Sequence, residues 1–238
     1  MMQRWNEDAI RFMKDASEYG TYYRELTAEL LPYLPKDGHI CDAGCGLGYL
    51  ASELSKHCKC VTALDSSISA ITAMRKRQSI DHINIVCADI FTISDRFDAM
   101  VFCYFGRIEE ILHLAKKLCR GTVLIIKRDC AEHTFSLGNV EHKKHTMEDT
   151  LGTLSALQIP FLKKSIALEM GQPFRSFNDA LDFFRLYNKS STPVSETAVA
   201  ERLLQTGEPE FPLYLPSQRK MELIVFSARD IPEGSNGV

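Results

Sequence analysis

The sequence has no apolar run approaching the ~20 residues that a membrane-spanning helix requires. It also lacks an excess of either charge. At a net charge of −3 and a pI near 6.2, no global field would gather nucleic acid or an anionic membrane. The opening stretch MMQRWNEDAIRFMKD is charged throughout, unlike a secretory signal, and no internal repeat is apparent. Cysteine is present but unpaired in pattern. Cys41, Cys45, Cys58, Cys60, Cys87, Cys103, Cys119 and Cys130 all lie in the first 130 residues, several inside apolar runs where cysteine behaves as a small buried hydrophobe. Cys58-x-Cys60 is too tight to pair readily and has no matching second pair for zinc. These features predict reduced core thiols in a cytoplasmic protein, with no metal.

What is present suits a single large domain, or one domain with an appended lobe: 238 residues, of which 45% are hydrophobic. Residues 3–34 carry apolar positions near the helical period and are expected to be helical, broken at Gly20. Pro32, Pro35 and Asp37-Gly38 then mark a turn. Short apolar runs follow at Ile40–Asp42, Val61–Asp65, Ile83–Ala88, Ala99–Phe102 and Thr122–Lys127, with helical segments Tyr49–His57, Ser67–Arg77 and Arg107–Leu118 between them. The runs do not alternate strictly, as strands covered on both faces should not. This order predicts a doubly wound, Rossmann-like sheet, whose ligands bind at the carboxyl ends of its strands.

The last third reads differently. Residues 133–145 are polar and predict a loop; Met147–Leu157 predicts a helix and Lys163–Met170 a strand. Ser176 opens a helix in an S-x-x-D arrangement with Asp179, and Ser195–Thr206 predicts another helix stopped by Gly207. Lys220–Ala228 predicts a strong strand, and the tail PEGSNGV is expected to be disordered.

The stretch His39–Leu50, HICDAGCGLGYL, is the most informative. An apolar entry leads to Asp42, then to glycines at alternate positions, Gly44, Gly46 and Gly48, then to a helical run. Glycine takes positive φ freely and lets a ligand approach the backbone. The dinucleotide fingerprint G-x-G-x-x-G has a different spacing. A carboxylate two residues before the first glycine would also repel a diphosphate, whereas it suits a cationic ammonium group. Asp65 lies 17 residues after Gly48, near the ~20-residue offset at which a carboxylate grips a ribose diol.

This loop resembles the first motif of the class I S-adenosylmethionine-dependent methyltransferases, D/E-x-G-x-G-x-G. The resemblance implies a seven-stranded sheet, mostly parallel with an antiparallel last strand, plus N-terminal helices and a helical insertion before that strand. It divides the chain into a helical cap at 1–36, a core at 37–171, an insertion at 172–217 that is a candidate substrate lid, the final strand at 218–230 and a tail at 231–238. It implies S-adenosylmethionine as cofactor, with Asp42, Gly44, Cys45, Gly46 and Gly48 around its methionine end. Asp65 and Ser66 would lie at the ribose, Asp89 at the adenine amine, Ile90 and Ile68 on the adenine ring, and Cys103 beside the methyl. Tyr104 is the candidate catalytic residue, and Tyr19, Tyr22 and Tyr23 are candidates to line the acceptor. One departure matters: Cys103-Tyr104-Phe105-Gly106 stands where amino-methylating enzymes of DNA and some proteins carry Asn/Asp-Pro-Pro-Tyr/Phe.

The expected activity is therefore methyl transfer to a small molecule at O, N or S, with no nucleic-acid partner favoured. An RNA or protein methyltransferase and a non-catalytic cofactor-binding protein remain open. His133, His142 and His145, with Glu132 and Glu141, could hold a metal, but Lys143, Lys144 and the absence of rigid ligand spacing favour a solvated loop. Arg75-Lys76-Arg77 reads as a helix end whose cations offset the helix dipole.

Overall fold

The structure is a computed structural model that describes residues 5–77, 82–128, 135–138, 140 and 147–233. Glu132, His133, Glu141, His142 and His145, Cys130, and tail residues 234–238 lie outside the described residues.

Two helices open the chain, α1 (Glu7–Tyr19) and α2 (Tyr22–Leu30), separated at Gly20. There follow β1 (His39–Ala43), α3 (Tyr49–Leu54), β2 (Cys60–Asp65), α4 (Ile68–Arg75), β3 (Ile83–Cys87), β4 (Phe97–Cys103), α5 (Ile108–Leu118) and β5 (Cys119–Arg128). The remainder comprises α6 (Met147–Ala156), β6 (Phe161–Glu169), β7 (Gln172–Phe174), α7 (Phe177–Tyr187), α8 (Glu196–Ala200), β8 (Leu204–Gln205), β9 (Leu213–Leu215) and β10 (Gln218–Ser227). The main sheet runs β3-β2-β1-β4-β5-β10-β6. Strands β1 to β5 pair in parallel, and β10 is antiparallel to both β5 and β6. The seven-stranded, mostly parallel architecture expected from the sequence is the one observed.

Apolar side chains cover both faces of the sheet, which is why its strands show no clean alternation. One face packs α5 through Ile108, Ile111, Leu112, Leu114, Ala115 and Leu118, all buried against Phe97, Phe102 and Ile125. Burial of each large apolar side chain there contributes about 1.5–3 kcal/mol. The other face packs α2 and α3 through Leu26, Leu30, Leu50 and Leu54. A third cluster joins α1 to α7, with Phe12 edge-on to Phe183 at 5.0 Å.

Three details differ from expectation. The helix from Ser195 ends at Ala200, not Thr206, because Leu204 and Gln205 pair with Tyr214 and Leu213 in a small second sheet, β7-β9-β8. Gly207 (φ +79°) thus turns a hairpin rather than ending a helix. Cys60 and Cys87 are exposed, not core thiols, since they sit at the ends of β2 and the edge strand β3; Cys41, Cys58 and Cys119 are buried. No helix among the described residues is long and apolar enough to cross a membrane.

Candidate functional site

The site grows from the carboxyl edge of β1. The β1–β2 pairing continues past the strand, with the Gly44 and Cys45 N–H groups donating to the Leu64 carbonyl at 2.8 and 3.0 Å. The chain then reverses through Gly44, Gly46 and Gly48, whose φ values are +72°, +54° and +71°. Side chains crowd the loop from behind: a Cβ on Gly44 would run into the Phe105 ring, and one on Gly48 into the Met74 sulfur. Glycine is required there twice over, by conformation and by space. Over Gly46 lies Trp5, whose Cζ2 would stand 2.8 Å from an added Cβ.

Asp42 lies beneath this loop, 2% exposed, and its Oδ2 has no hydrogen-bond partner. Burial pushes its carboxyl up to about 7; the Ala51 N–H in the first turn of α3 works against that rise, and the charge of Asp65 adds to it. An unsatisfied buried carboxylate oxygen is costly, by about 1–3 kcal/mol or more for a charged group. A ligand cation would satisfy it.

Asp65 and Asp89 end the neighbouring stretches. Pairing of Ala43 with Leu64 and of Asp65 with Cys87 sets the three carboxylates along the same edge of adjacent parallel strands, which are spaced by ~4.8 Å. Asp65 accepts from the Gly46 and Ser67 N–H groups, both at 2.8 Å. That leaves lone pairs for two further donors, since a carboxylate offers about four. Ser67 caps α4, so Asp65 is not needed for that task. Asp89 is exposed and accepts from the Phe91 N–H at 3.1 Å. Ile90 is buried in the core, whereas Ile68 is 75% exposed. Ser66 is exposed beside them.

A cavity of about 1270 Å³ opens from the loop. Of the residues expected at the site, it brings together Asp42, Gly44, Cys45, Gly46, Gly48, Cys103, Tyr104 and Tyr23. Asp65, Ser66, Ile68, Asp89 and Ile90 are not on its wall; they lie beyond it along the β2 and β3 strand ends. Two of the three proposed acceptor-lining tyrosines are elsewhere. Tyr22 is 2% exposed, beneath the wall, because its hydroxyl pairs with that of Tyr104 at 3.0 Å. Tyr19 packs against Phe211 and Tyr214 outside the cavity.

Tyr104 itself holds φ +56°, a conformation rare outside glycine and concentrated at functional sites. Its N–H donates to the Ile126 carbonyl at 2.9 Å and its hydroxyl reaches the Met221 sulfur at 3.5 Å. Burial pushes its phenol up, as it does the Cys103 thiol. Both are therefore neutral at pH 7, and Tyr104 is fit to donate a hydrogen bond rather than to serve as an anionic base.

The far wall holds groups that sequence reasoning missed. Lys127, at the end of β5, is 8% exposed and donates to Thr150 Oγ1 at 2.8 Å; burial lowers its pKa. Arg219 enters from β10, and α1 and α7 contribute Phe12, Phe183 and Tyr187. A lysine ending a buried strand is the one signal that could have pointed to Lys127. Among the described residues no group of His, Cys, Asp and Glu is arranged to hold a metal.

A family described as "Methyltransferase domain" matches residues 40–123. The chain carries a class I methyltransferase-like domain. The match to this domain spans the glycine loop, Asp65, Asp89 and Tyr104. Solved structures agree in fold. The YcgJ protein from Bacillus subtilis is 11% identical at a TM-score of 0.55, covering 87% of this chain and 98% of its own. Magnesium protoporphyrin IX methyltransferase from Synechocystis PCC 6803, solved with bound S-adenosylhomocysteine, is 15% identical at 0.50, covering 92% and 87%. Precorrin 8W decarboxylase from Methanobacterium thermoautotrophicum is also 15% identical at 0.50, covering 85% and 89%. That range of reactions on one methyltransferase-like frame leaves function to be argued from the site. No curated protein sequence matches the chain.

Proposed function

We propose that this chain is an S-adenosylmethionine-dependent methyltransferase acting on a small-molecule O, N or S acceptor. The observation that carries the proposal is the unpartnered Oδ2 of buried Asp42, set beneath three left-handed glycines where they open into the cavity. A carboxylate so placed favours an ammonium group and disfavours a diphosphate, which separates the site from dinucleotide-binding loops.

The residues present fit such a cofactor. Asp42 would hold the ammonium, and the backbone of Gly44, Cys45 and Gly46 would flank the methionine end. The remaining lone pairs of Asp65 suit a ribose diol, with Ser66 beside it. Asp89, with the exposed Ile68, would take the adenine, whereas Ile90 is buried in the core beneath them. When bound, this cofactor supplies a methyl group already activated on a sulfonium, which leaves the protein little bond chemistry to perform. The chain's own tasks are to align the acceptor for in-line displacement and to exclude water. Cys103 and Tyr104, at the exit of β4, would serve the first task, with the Tyr104 ring held by the hydrogen bond between its hydroxyl and that of Tyr22. Phe12, Phe183 and Tyr187 serve the second.

Isothermal titration with S-adenosylhomocysteine tests the proposal. Binding at micromolar concentration is expected; no heat at millimolar ligand would overturn it. Salt-sensitive binding of bulk tRNA would instead support a macromolecular acceptor.

A further inference from the structure

The cavity wall is strongly cationic away from the glycine loop. It carries six basic residues, Arg107, Lys127, Arg128, Lys163, Lys189 and Arg219, against three carboxylates, Asp42, Glu110 and Glu148. Lys127 donates to Thr150 Oγ1, Arg128 lies 5.9 Å from the Tyr104 ring centroid, and Lys163 stands 3.3 Å from Glu222. Arg219 differs. Its Nε is buried without a hydrogen-bond partner, and no carboxylate among the described residues forms an ion pair with it.

The topology explains its position. Because β10 runs antiparallel to β5, it begins at the carboxyl edge where the parallel strands end, so Arg219, its second residue, arrives beside the site. Its charge acts on Tyr23, Cys103 and Tyr104. Its guanidinium carbon also lies 5.7 Å from the Phe135 ring centroid, within cation–π range. A half-buried guanidinium with a dry, unused donor is costly without an anion and strong with one, since the fork matches a carboxylate. Around it the wall is apolar, with Phe12, Met170, Phe183 and Tyr187.

We propose that Arg219 is an anion anchor and that the acceptor is an apolar, ring-bearing small molecule carrying a carboxylate. The word "acceptor" rests on the methyltransferase proposal; the anion site does not. The carboxylate of a bound amino acid cofactor needs one cation, and the excess of basic residues on this wall goes well beyond that.

The test uses the full chain and three probes on one ring system at pH 7: 2-naphthoate, 2-naphthol and 2-naphthylmethylamine, an anion, a neutral molecule and a cation. Each is titrated calorimetrically, with and without S-adenosylhomocysteine, into wild type, Arg219→Gln and Arg219→Lys. Thermal melts verify that the variants fold. The anion is expected to bind at least about tenfold more tightly than either analogue, a gap of ~1.4 kcal/mol. Arg219→Gln should abolish that preference while leaving S-adenosylhomocysteine affinity within about threefold, and Arg219→Lys should restore part of it. Equal binding of the three probes, or an intact preference in Arg219→Gln, overturns the proposal. A tenfold loss of S-adenosylhomocysteine affinity with the naphthoate preference unchanged also overturns it, by placing the guanidinium on the cofactor. Naphthoate preference without any S-adenosylhomocysteine heat keeps the anion site and sinks the methyltransferase assignment.

Discussion

Replacing Asp42 with Asn should stabilise the ligand-free protein and cripple cofactor binding. The carboxyl is raised from 3.8 to about 7, chiefly by burial. A folded-state value above the unfolded one means stability is fullest below pH ~4 and is lost as pH rises toward 7, because the unfolded chain can ionise and the folded site resists. At ~1.36 kcal/mol per unit, the linkage limit is about 4 kcal/mol by pH 8. Water entering the cavity relieves part of that, so a gain of about 2 kcal/mol is expected for Asp42→Asn, or ~4–8 °C in Tm for a chain of this size. The gain should shrink toward zero at pH 4, where wild type is neutral at this position too. The assay is a set of melts from pH 4 to 8 beside titration with S-adenosylhomocysteine at pH 8. Loss of the charged partner should weaken the ligand by tenfold or more, consistent with ~1.5–3 kcal/mol for a hydrogen bond to a charged group. A variant that melts no higher than wild type at pH 8 and binds the ligand normally would refute the account of Asp42.

Other expectations follow from single contacts. Asp65→Ala should weaken S-adenosylhomocysteine at least tenfold and also loosen the loop, since the Gly46 and Ser67 N–H groups lose their acceptor; calorimetry and amide exchange report the two effects separately, and near-normal affinity discredits the ribose role. Gly48→Ala must adopt φ +71° and displace buried Met74, so a loss of about 2–4 kcal/mol is expected in urea unfolding. Tyr22→Phe and Tyr104→Phe should each cost about 1 kcal/mol, with the double variant costing clearly less than their sum, because the two hydroxyls share a bond and both face the Met221 sulfur. Additive losses would show that the hydroxyls act independently. Arg175→Ala removes the two-pronged partner of Asp15, which is 3% exposed, and should destabilise the contact between α1 and the 172–217 region by about 1–2 kcal/mol. Faster proteolysis near α1 is the readout, and an unchanged cleavage rate would count against the clasp.

Much of the core was legible without coordinates because its causes are local. Glycines at alternate positions after an apolar run can form only a strand-to-helix turn of unusual φ. Apolar runs alternating with amphipathic segments leave little but a parallel sheet covered on both faces. The strand-end acids Asp42, Asp65 and Asp89 followed from the rule that such sheets bind ligands at their carboxyl edges. Prediction was weaker where local preference meets distant pairing. Residues 201–206 fit a helix, yet Leu204 and Gln205 gain a strand partner in β9 and leave it. Tyr22 carried the same polar-aromatic signature as Tyr23, and only packing buries one under Tyr104 while the other faces the cavity.

By itself, the order of residues determined the layered fold, the glycine turn and the acidic strand ends, since each depends on neighbours a few positions away. Tertiary structure alone decided that Asp42 Oδ2 is left without a partner, that Arg175 reaches Asp15 across 160 residues, and that the charge of Arg219 is felt at Cys103 and Tyr104. The cause is the antiparallel return of β10 and the folding of the 172–217 region onto α1. Both bring charges together by closing long loops, a process that leaves no periodic trace in the chain.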